Sequence, residues 1–304
     1  MRSDQETGFK GHHQQTGRSI ELRLAQNLSG SALSFLHWKG ILFGEGDWHQ
    51  KTEDRIECPL LNVGDTLHFE QGLTAQIVSI SEYNQRLIEL RFMSKEESIL
   101  RDIYRSGRLI QSSYHEAELD LWDGQTIFSG PPIALEAPSA AFPMTWEIVK
   151  NLLEQGVKVA PIYHSAGISS TGEPTLDALL PFPEHYRIPT ETARLINHAK
   201  REGNRIIALG TSVTRALESA ATTNVTSNAE QPISAGSGVT DLIITPDYKR
   251  KVVDGLITGM HENGSSHLKL LQSFAPMNLI RNAYEDAQRK DYLWHEYGDS
   301  CLIV

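Results

Sequence analysis

At 304 residues with 39% hydrophobic content, the chain can bury more than one core, and 22% charged with 8% aromatic residues excludes a disordered or fibrous make-up. Its 28 Lys and Arg against 38 Asp and Glu give a formal net charge of −10, so any phosphate-binding face must come from local clusters and not from the total. Cys58 and Cys301 lie far apart with no C-x-x-C pair, which excludes a cysteine-built zinc site or a disulfide framework and suits a reducing cytoplasm. No apolar run reaches the roughly 18–20 residues of a membrane span.

The stretch 1–18 is polar and has no apolar region, so it is expected to be a disordered tail and no secretory signal. His12 and His13 within it are better read as tail than as a metal patch. Ile20, Leu22 and Leu24 alternate with Glu21 and Arg23, the period-two mark of a half-buried strand. Similar runs at Leu33–Trp38, Thr66–Phe69, Ala75–Ile80 and Leu87–Phe92, with turns at Val63-Gly64-Asp65 and Gln71-Gly72, predict a small antiparallel β-barrel over 19–93. At Ser94 the period changes: Ser94 and Glu97 form a capping box ahead of Ile99, Leu100, Ile103 and Tyr104, and Gly107 is placed to end that helix.

From about Thr145 helices and strands are expected to alternate. Helices are read at Trp146–Leu153, after Thr190, after Gly210, at Ser266–Phe274 and at Asn278–Gln288. Strands are read at Val157–Tyr163, Ile206–Leu209, Asp241–Thr245 and Lys251–Ile257. Such alternation predicts an α/β domain over 94–304, a largely parallel sheet flanked by helices, with a mobile Ser/Thr/Asn/Gly-rich loop at 221–238.

Standard catalytic motifs are missing: there is no G-x-G-x-x-G, P-loop or H-E-x-x-H, and Gly167-Ile168-Ser169-Ser170-Thr171 lacks the closing glycine of a nucleophile elbow. The strand–turn–helix at 206–219 is the best local candidate, because a βα turn presents backbone N–H groups and the hydroxyls of Thr211 and Ser212. Arg215 and Glu218 follow one turn apart and suit a polar ligand; an N-cap with a surface i,i+3 ion pair has the same pattern. His164 and His261 each follow a strand, where an imidazole can move a proton or be tied to loop backbone. Glu262 and His267 near His261 match no standard metal spacing, so no metal is expected. Asp254, among Val252, Val253, Leu256 and Ile257, is either a partnered functional carboxylate or a strand-edge acid. Arg187, Arg194, Lys200, Arg201 and Arg205, and separately Lys249-Arg250-Lys251, are clusters fit for a phosphate backbone or for plain solvation.

These stretches, in this order, resemble the S-adenosylmethionine:tRNA ribosyltransferase-isomerase family of queuosine biosynthesis. Ala137-Pro138-Ser139-Ala140 is similar to that family's APTAG, with Gln125-Thr126-Ile127-Phe128 upstream like its QTVY. His164 holds the first position of HVGAGTF, and Gly210-Thr211 with Arg215, Leu217, Glu218 and Ser219 follows GTTSVRTLES. Lys251-Val252-Val253-Asp254 resembles KVVD, His261 and Ser265 match the histidine and serine of NFHLPKS, and Tyr297-Gly298-Asp299 resembles YGD. The departures sit at the same places. Gly259-Met260 and Glu262-Asn263 replace the residues flanking the family histidine, the histidine of APTAGLHF is lost at Ala141-Phe142-Pro143-Met144, and the LPxELIA and NNTRVIPARL stretches have no clear counterpart. A shortened, divergent paralogous branch is implied.

The resemblance implies S-adenosylmethionine as co-substrate, with no metal, and transfer and isomerisation of its ribosyl group onto a 7-aminomethyl-7-deazaguanine base in tRNA. The acceptor is tRNA or a small deazapurine and the setting cytoplasmic without a membrane; the oligomeric state is left open, with a monomer favoured. It implies catalytic roles for His164, Asp254 and His261, and substrate contacts for Pro138, Ser139, Gly210, Thr211, Ser212, Arg215, Glu218, Ser265, Tyr297 and Asp299. A non-catalytic binding or regulatory paralog, or a transferase for a different nucleoside, are the alternatives.

Overall fold

The computed structural model describes residues 7–29, 34–46, 50, 55–109, 119, 123–129, 138–168, 171, 173–223, 232–261, 265–294 and 298–304. Six antiparallel strands close into a barrel: β1 (Thr7–His13), β2 (Ser19–Asn27), β3 (His37–Phe43), β4 (Thr66–Phe69), β5 (Thr74–Ile80) and β6 (Leu87–Phe92). Their order is β2-β3-β6-β5-β4-β1, and β1 pairs back onto β2 to complete the circuit. The inward positions of the alternating strands carry Phe9, Leu22, Leu24, Leu67, Ile77 and Leu90, all essentially without solvent contact. Closure removes the sheet edges that a small open sheet would expose.

The expected disordered tail over 1–18 is therefore overturned from Thr7 onward, because β1 is the strand that closes the barrel. His13 is locked inside it: its Nε2 lies 2.9 Å from Asp65 Oδ2 and its Nδ1 2.9 Å from Thr16 Oγ1. The strand expected at 33–38 is displaced to His37–Phe43. Helix α1 (Ile99–Ser106) places Ile99 and Ile103 in the barrel core, and Gly107 N–H donates to Ile103 O at its end. Ser98, not Ser94, precedes its first turn, so the expected capping box does not form. The short β7 (Arg108–Leu109) pairs with the start of β1.

The second half contains α2 (Trp146–Glu154), β8 (Tyr163–His164), α3 (Pro174–Asp177), β9 (Glu184–Ile188), α4 (Thr190–Arg201), β10 (Ile207–Leu209), α5 (Thr211–Thr223), β11 (Gly236–Thr240), β12 (Gly255–Gly259), α6 (Ser266–Leu271), α7 (Met277–Arg289) and β13 (Ser300–Ile303). The expectation of a largely parallel, helix-flanked sheet is contradicted. Among the described residues the strands form two three-stranded sheets, β10-β12-β13 and β11-β9-β8, and only β10–β12 is a parallel pair. Two expected strands are missing. Residues 157–162 are irregular with Val157 and Val159 exposed, and 241–245 are irregular with Ile243 exposed. The expected mobile loop at 221–238 begins inside α5 and ends inside β11, while 224–231 lie outside the described residues.

The second half leans on the barrel wall. Ala25, Ile41, Phe43 and Leu87, on the outward face of their strands, pack against Ile168, Leu176 and Phe182. The approach is close at Gly167, where a Cβ would stand 2.9 Å from Ala25 O. That contact fixes the chain immediately after His164.

Candidate functional site

The centre of the site is a buried cluster built from three elements. β9 reads Glu184-His185-Tyr186-Arg187-Ile188, with Glu184, Tyr186 and Ile188 buried and the two between exposed. The inward face of this alternation thus turns a carboxylate into the interior. There Glu184 Oε2 accepts from Arg215 Nη1, one turn along α5, and lies 3.4 Å from His164 Nε2 at the end of β8. Glu184 Oε1 accepts from Gly167 N–H at 2.8 Å, and Arg215 Nε donates to Leu242 O at 3.0 Å.

The electrostatics follow from burial. Loss of water pushes the Glu184 carboxyl up, against the pull of Arg215 and the Gly167 N–H. The guanidinium and the Glu184 carboxylate form a buried ion pair, each the other's counter-ion. Burial, and then the nearby Arg215, push His164 down to about 3. The imidazole is therefore neutral at pH 7, with one N–H donor and one acceptor nitrogen. Among the described residues, neither ring nitrogen makes a hydrogen bond, and neither does Arg215 Nη2. Buried polar atoms are nearly always satisfied, and leaving one bare costs about 1–3 kcal/mol. Three such atoms near one carboxylate can bond a polar ligand, which makes this cluster a candidate site.

Above this cluster lies the carboxyl edge of the parallel pair. Gly210, at φ +101°, makes the turn into α5 that a side chain would strain, and its N–H donates to Ile257 O at 2.8 Å. Thr211 is buried and Ser212 half-buried at the first turn. The segment from Pro138 forms a single 3₁₀ turn over Ser139–Ala141, which Ser300 Oγ holds through Ala140 O at 3.0 Å. His261 leaves the same edge from β12. Its Nε2 is 2.7 Å from Thr258 Oγ1, its backbone N–H donates to Tyr284 Oη at 3.0 Å, and its ring stacks on His267 at 4.7 Å.

Other expected site residues have different work. Asp254 precedes β12 whereas His261 follows it, so at about 3.3 Å per residue the strand holds them roughly 16 Å or more apart. Both Asp254 oxygens accept from Lys200 Nζ at 2.8 Å, and Oδ2 also accepts from Ile206 N–H. This is an ion pair at the amino edge, so Asp254, expected to share a catalytic role with His261, is held away from it. Glu218 is fully buried and accepts from the N–H groups of Lys251, Val252 and Val253 at 2.7–3.0 Å, which folds that segment onto α5. Ser265 caps α6 through Leu268 N–H, and Asp299 accepts from Leu293 N–H. Tyr297 and Ala137 lie outside the described residues.

The cationic clusters are partly consumed as well. Arg194 pairs with Glu191, Lys200 with Asp254, Arg187 lies over the Tyr163 ring and Arg250 over Phe274. Arg201, Arg205 and Lys249 remain exposed. Arg205 adjoins Ile206, at the edge away from Gly210. Among the described residues no three His, Cys, Asp or Glu side chains form a metal-binding group.

Comparison with known proteins decides the family. The model of the queuosine biosynthesis protein family matches residues 6–303. The chain belongs to this family. Among its relatives, the S-adenosylmethionine:tRNA ribosyltransferase-isomerase of Natranaerobius thermophilus is 30% identical over 298 residues, 96% of this chain and 79% of that protein. The protein of the same name from Carboxydothermus hydrogenoformans is 34% identical over 247 residues, 80% of this chain and 70% of its own. A solved structure, S-adenosylmethionine tRNA ribosyltransferase from Thermotoga maritima, aligns over 98% of this chain and 78% of that one with 23% identity and a TM-score of 0.45.

Within this queuosine family member, sequence reasoning placed His164 and Arg215 but passed over Glu184, the group that joins them. The signal was present in the buried–exposed alternation of 184–188, masked by polar residues at every second position and by Pro183 and Pro189 on its flanks. Tyr284 was passed over too, because it reads as an ordinary apolar position of α7.

Proposed function

We propose that this chain uses S-adenosylmethionine to transfer and isomerise a ribosyl group onto a 7-aminomethyl-7-deazaguanine base in tRNA, releasing adenine and methionine. Family membership and the names of its relatives support the general activity, and the buried trio of unsatisfied nitrogens on His164 and Arg215 is the observation that carries its placement.

The roles follow from charge. The donor is a sulfonium cation, and the Glu184 carboxylate is the anion that stabilises it in a low-dielectric site. Arg215 Nη2 donates to the methionine carboxylate or to a ribose hydroxyl, while its Nη1 keeps Glu184 in position. His164, neutral and unpaired, orients the donor through one N–H and one lone pair. Held at about 3, it is a poor store for a proton. Proton transfer at the acceptor amine and the adenine falls to His261, at the same strand edge. The Gly210-Thr211-Ser212 turn and Pro138-Ser139 bound the donor on the other side. A metal-free reaction in the cytoplasm completes the reading, and among the described residues no helix is long and apolar enough to cross a membrane.

Calorimetry with S-adenosylmethionine, followed by adenine release in the presence of tRNA carrying the deazaguanine base, tests the reading. Saturable heat and released adenine are expected; no heat at millimolar ligand removes the donor and the proposal with it. A binding paralog is favoured by one feature, the altered residues on both sides of His261. It predicts heat without adenine release.

A further inference from the structure

Beyond His261 a cavity of about 250 Å3 opens between α6, α7 and the segment after α7. Its floor is apolar, and its walls carry His261, Arg281, Tyr284, Glu285, Gln288 and Trp294. Positions 281, 284, 285 and 288 are spaced three and four apart, so one face of α7 supplies most of the polar wall. Tyr284 and Trp294 meet edge to face with ring centroids 5.4 Å apart. Among the described residues, the side chains of Arg281, Glu285 and Gln288 make no hydrogen bond or ion pair, although Arg281 and Glu285 stand at i,i+4. Burial pushes the Tyr284 phenol up to about 12, so its hydroxyl keeps its proton while its oxygen accepts from His261 N–H.

We infer that this cavity is the acceptor-base subsite: it takes one flat guanine-type heterocycle, read along its edge by Glu285 and Arg281 and held against Trp294. The inference rests on the proposed ribosyl transfer and adds the residues that select the acceptor. Three features carry it. The volume falls below the roughly 300–1,000 Å3 of clefts that take drug-sized ligands, so it fits a single ring system and not a whole nucleoside or the donor. The polar groups suit a guanine edge. A carboxylate accepts from two adjacent N–H donors at once, as guanine N1–H and its 2-amino group present them, while a guanidinium donates to the neighbouring carbonyl oxygen. Adenine offers its exocyclic amine as the one N–H donor on that edge and meets the pair less well. The aromatic wall supplies the stacking surface that a base extruded from tRNA requires, with His261 at the inner end where the acceptor amine would react.

The test compares wild type with Glu285→Gln and Arg281→Met, both at exposed helix positions that leave the fold intact by circular dichroism. The Michaelis constant for tRNA carrying 7-aminomethyl-7-deazaguanine should rise about tenfold or more in each variant, with that for S-adenosylmethionine unchanged. An unchanged acceptor constant in an active enzyme, or a change in the donor constant instead, overturns the subsite and leaves the proposed function standing. If wild type releases no adenine, the proposed function falls by itself. Quenching of Trp294 fluorescence by free 7-aminomethyl-7-deazaguanine, controlled with Trp294→Phe, then decides the subsite separately. Saturable quenching lost in Glu285→Gln sustains it, and no saturable quenching, or equal quenching by adenine, overturns it.

Discussion

The two ends of the β10–β12 pair both gather charged and polar side chains, but with different degrees of pairing. At the amino edge Asp254 is matched by Lys200 and by the N–H of Ile206, and Arg250 donates to the carbonyls of Val253 and Asp254. At the carboxyl edge and in the cluster beneath it, the imidazole of His164 and one nitrogen of Arg215 are buried and, among the described residues, make no hydrogen bond. A satisfied charge holds strands together, whereas unsatisfied donors in a dry site are a cost that a ligand can relieve. The contrast makes the carboxyl edge the candidate place for chemistry.

The largest way to break that contrast is through Arg215. Arg215→Met leaves Glu184 buried without its counter-ion, and a loss of about 3–5 kcal/mol is expected in the unfolding free energy from urea melts, together with loss of activity. Glu184→Gln,Arg215→Met together should recover much of the stability and none of the turnover. Recovery of turnover would show that the ion pair serves the fold alone.

A second effect is carried by pH. The folded state holds His164 at about 3 against about 6.5 when unfolded, so the unfolded chain binds the extra proton first. Its contribution is fully present above pH 6.5 and is lost as pH falls towards 3, at up to about 1.4 kcal/mol per pH unit. Urea melts of wild type and His164→Asn across that window should diverge, with the shallower acid limb in the variant. Parallel limbs would mean that His164 is solvated and protonated like an ordinary histidine.

Smaller still is the amino edge. Asp254→Asn removes a partly exposed ion pair worth about 1 kcal/mol or less, and a minor shift in melting is expected. Smallest is the exposed cationic pair: Arg201→Glu with Arg205→Glu should weaken tRNA binding modestly and reduce its salt dependence, as filter binding at two ionic strengths would show. Unchanged binding removes that patch from the tRNA path.

How much of this was legible in the sequence varied by region for physical reasons. Alternation, as in Thr66–Phe69 and from Ile88 to Phe92, marks barrel strands because the inward face of each is buried. β1 escaped notice because Thr7-Gly8-Phe9-Lys10-Gly11 offers one large apolar side chain. Gly11 is required there, since a Cβ would stand 2.1 Å from His68 O. The parallel sheet was overread from apolar runs: in Val157–Tyr163, Pro161 interrupts the ladder and the valines face solvent. Within the site, motif order marked His164, Arg215 and His261, but spacing along the chain says nothing of which end of a strand a residue occupies. That is why Asp254 read as a partner for the histidines.

The central claim is that chemistry belongs to the His164–Glu184–Arg215 cluster and the carboxyl edge above it. Adenine release from S-adenosylmethionine and tRNA, measured side by side for His164→Asn and Asp254→Asn, tests it most directly. A loss of about 100-fold or more in the first, with the second within about threefold of wild type, is the result expected from removing a group positioned at the reacting centre. Abolished release in Asp254→Asn with His164→Asn still active would contradict it.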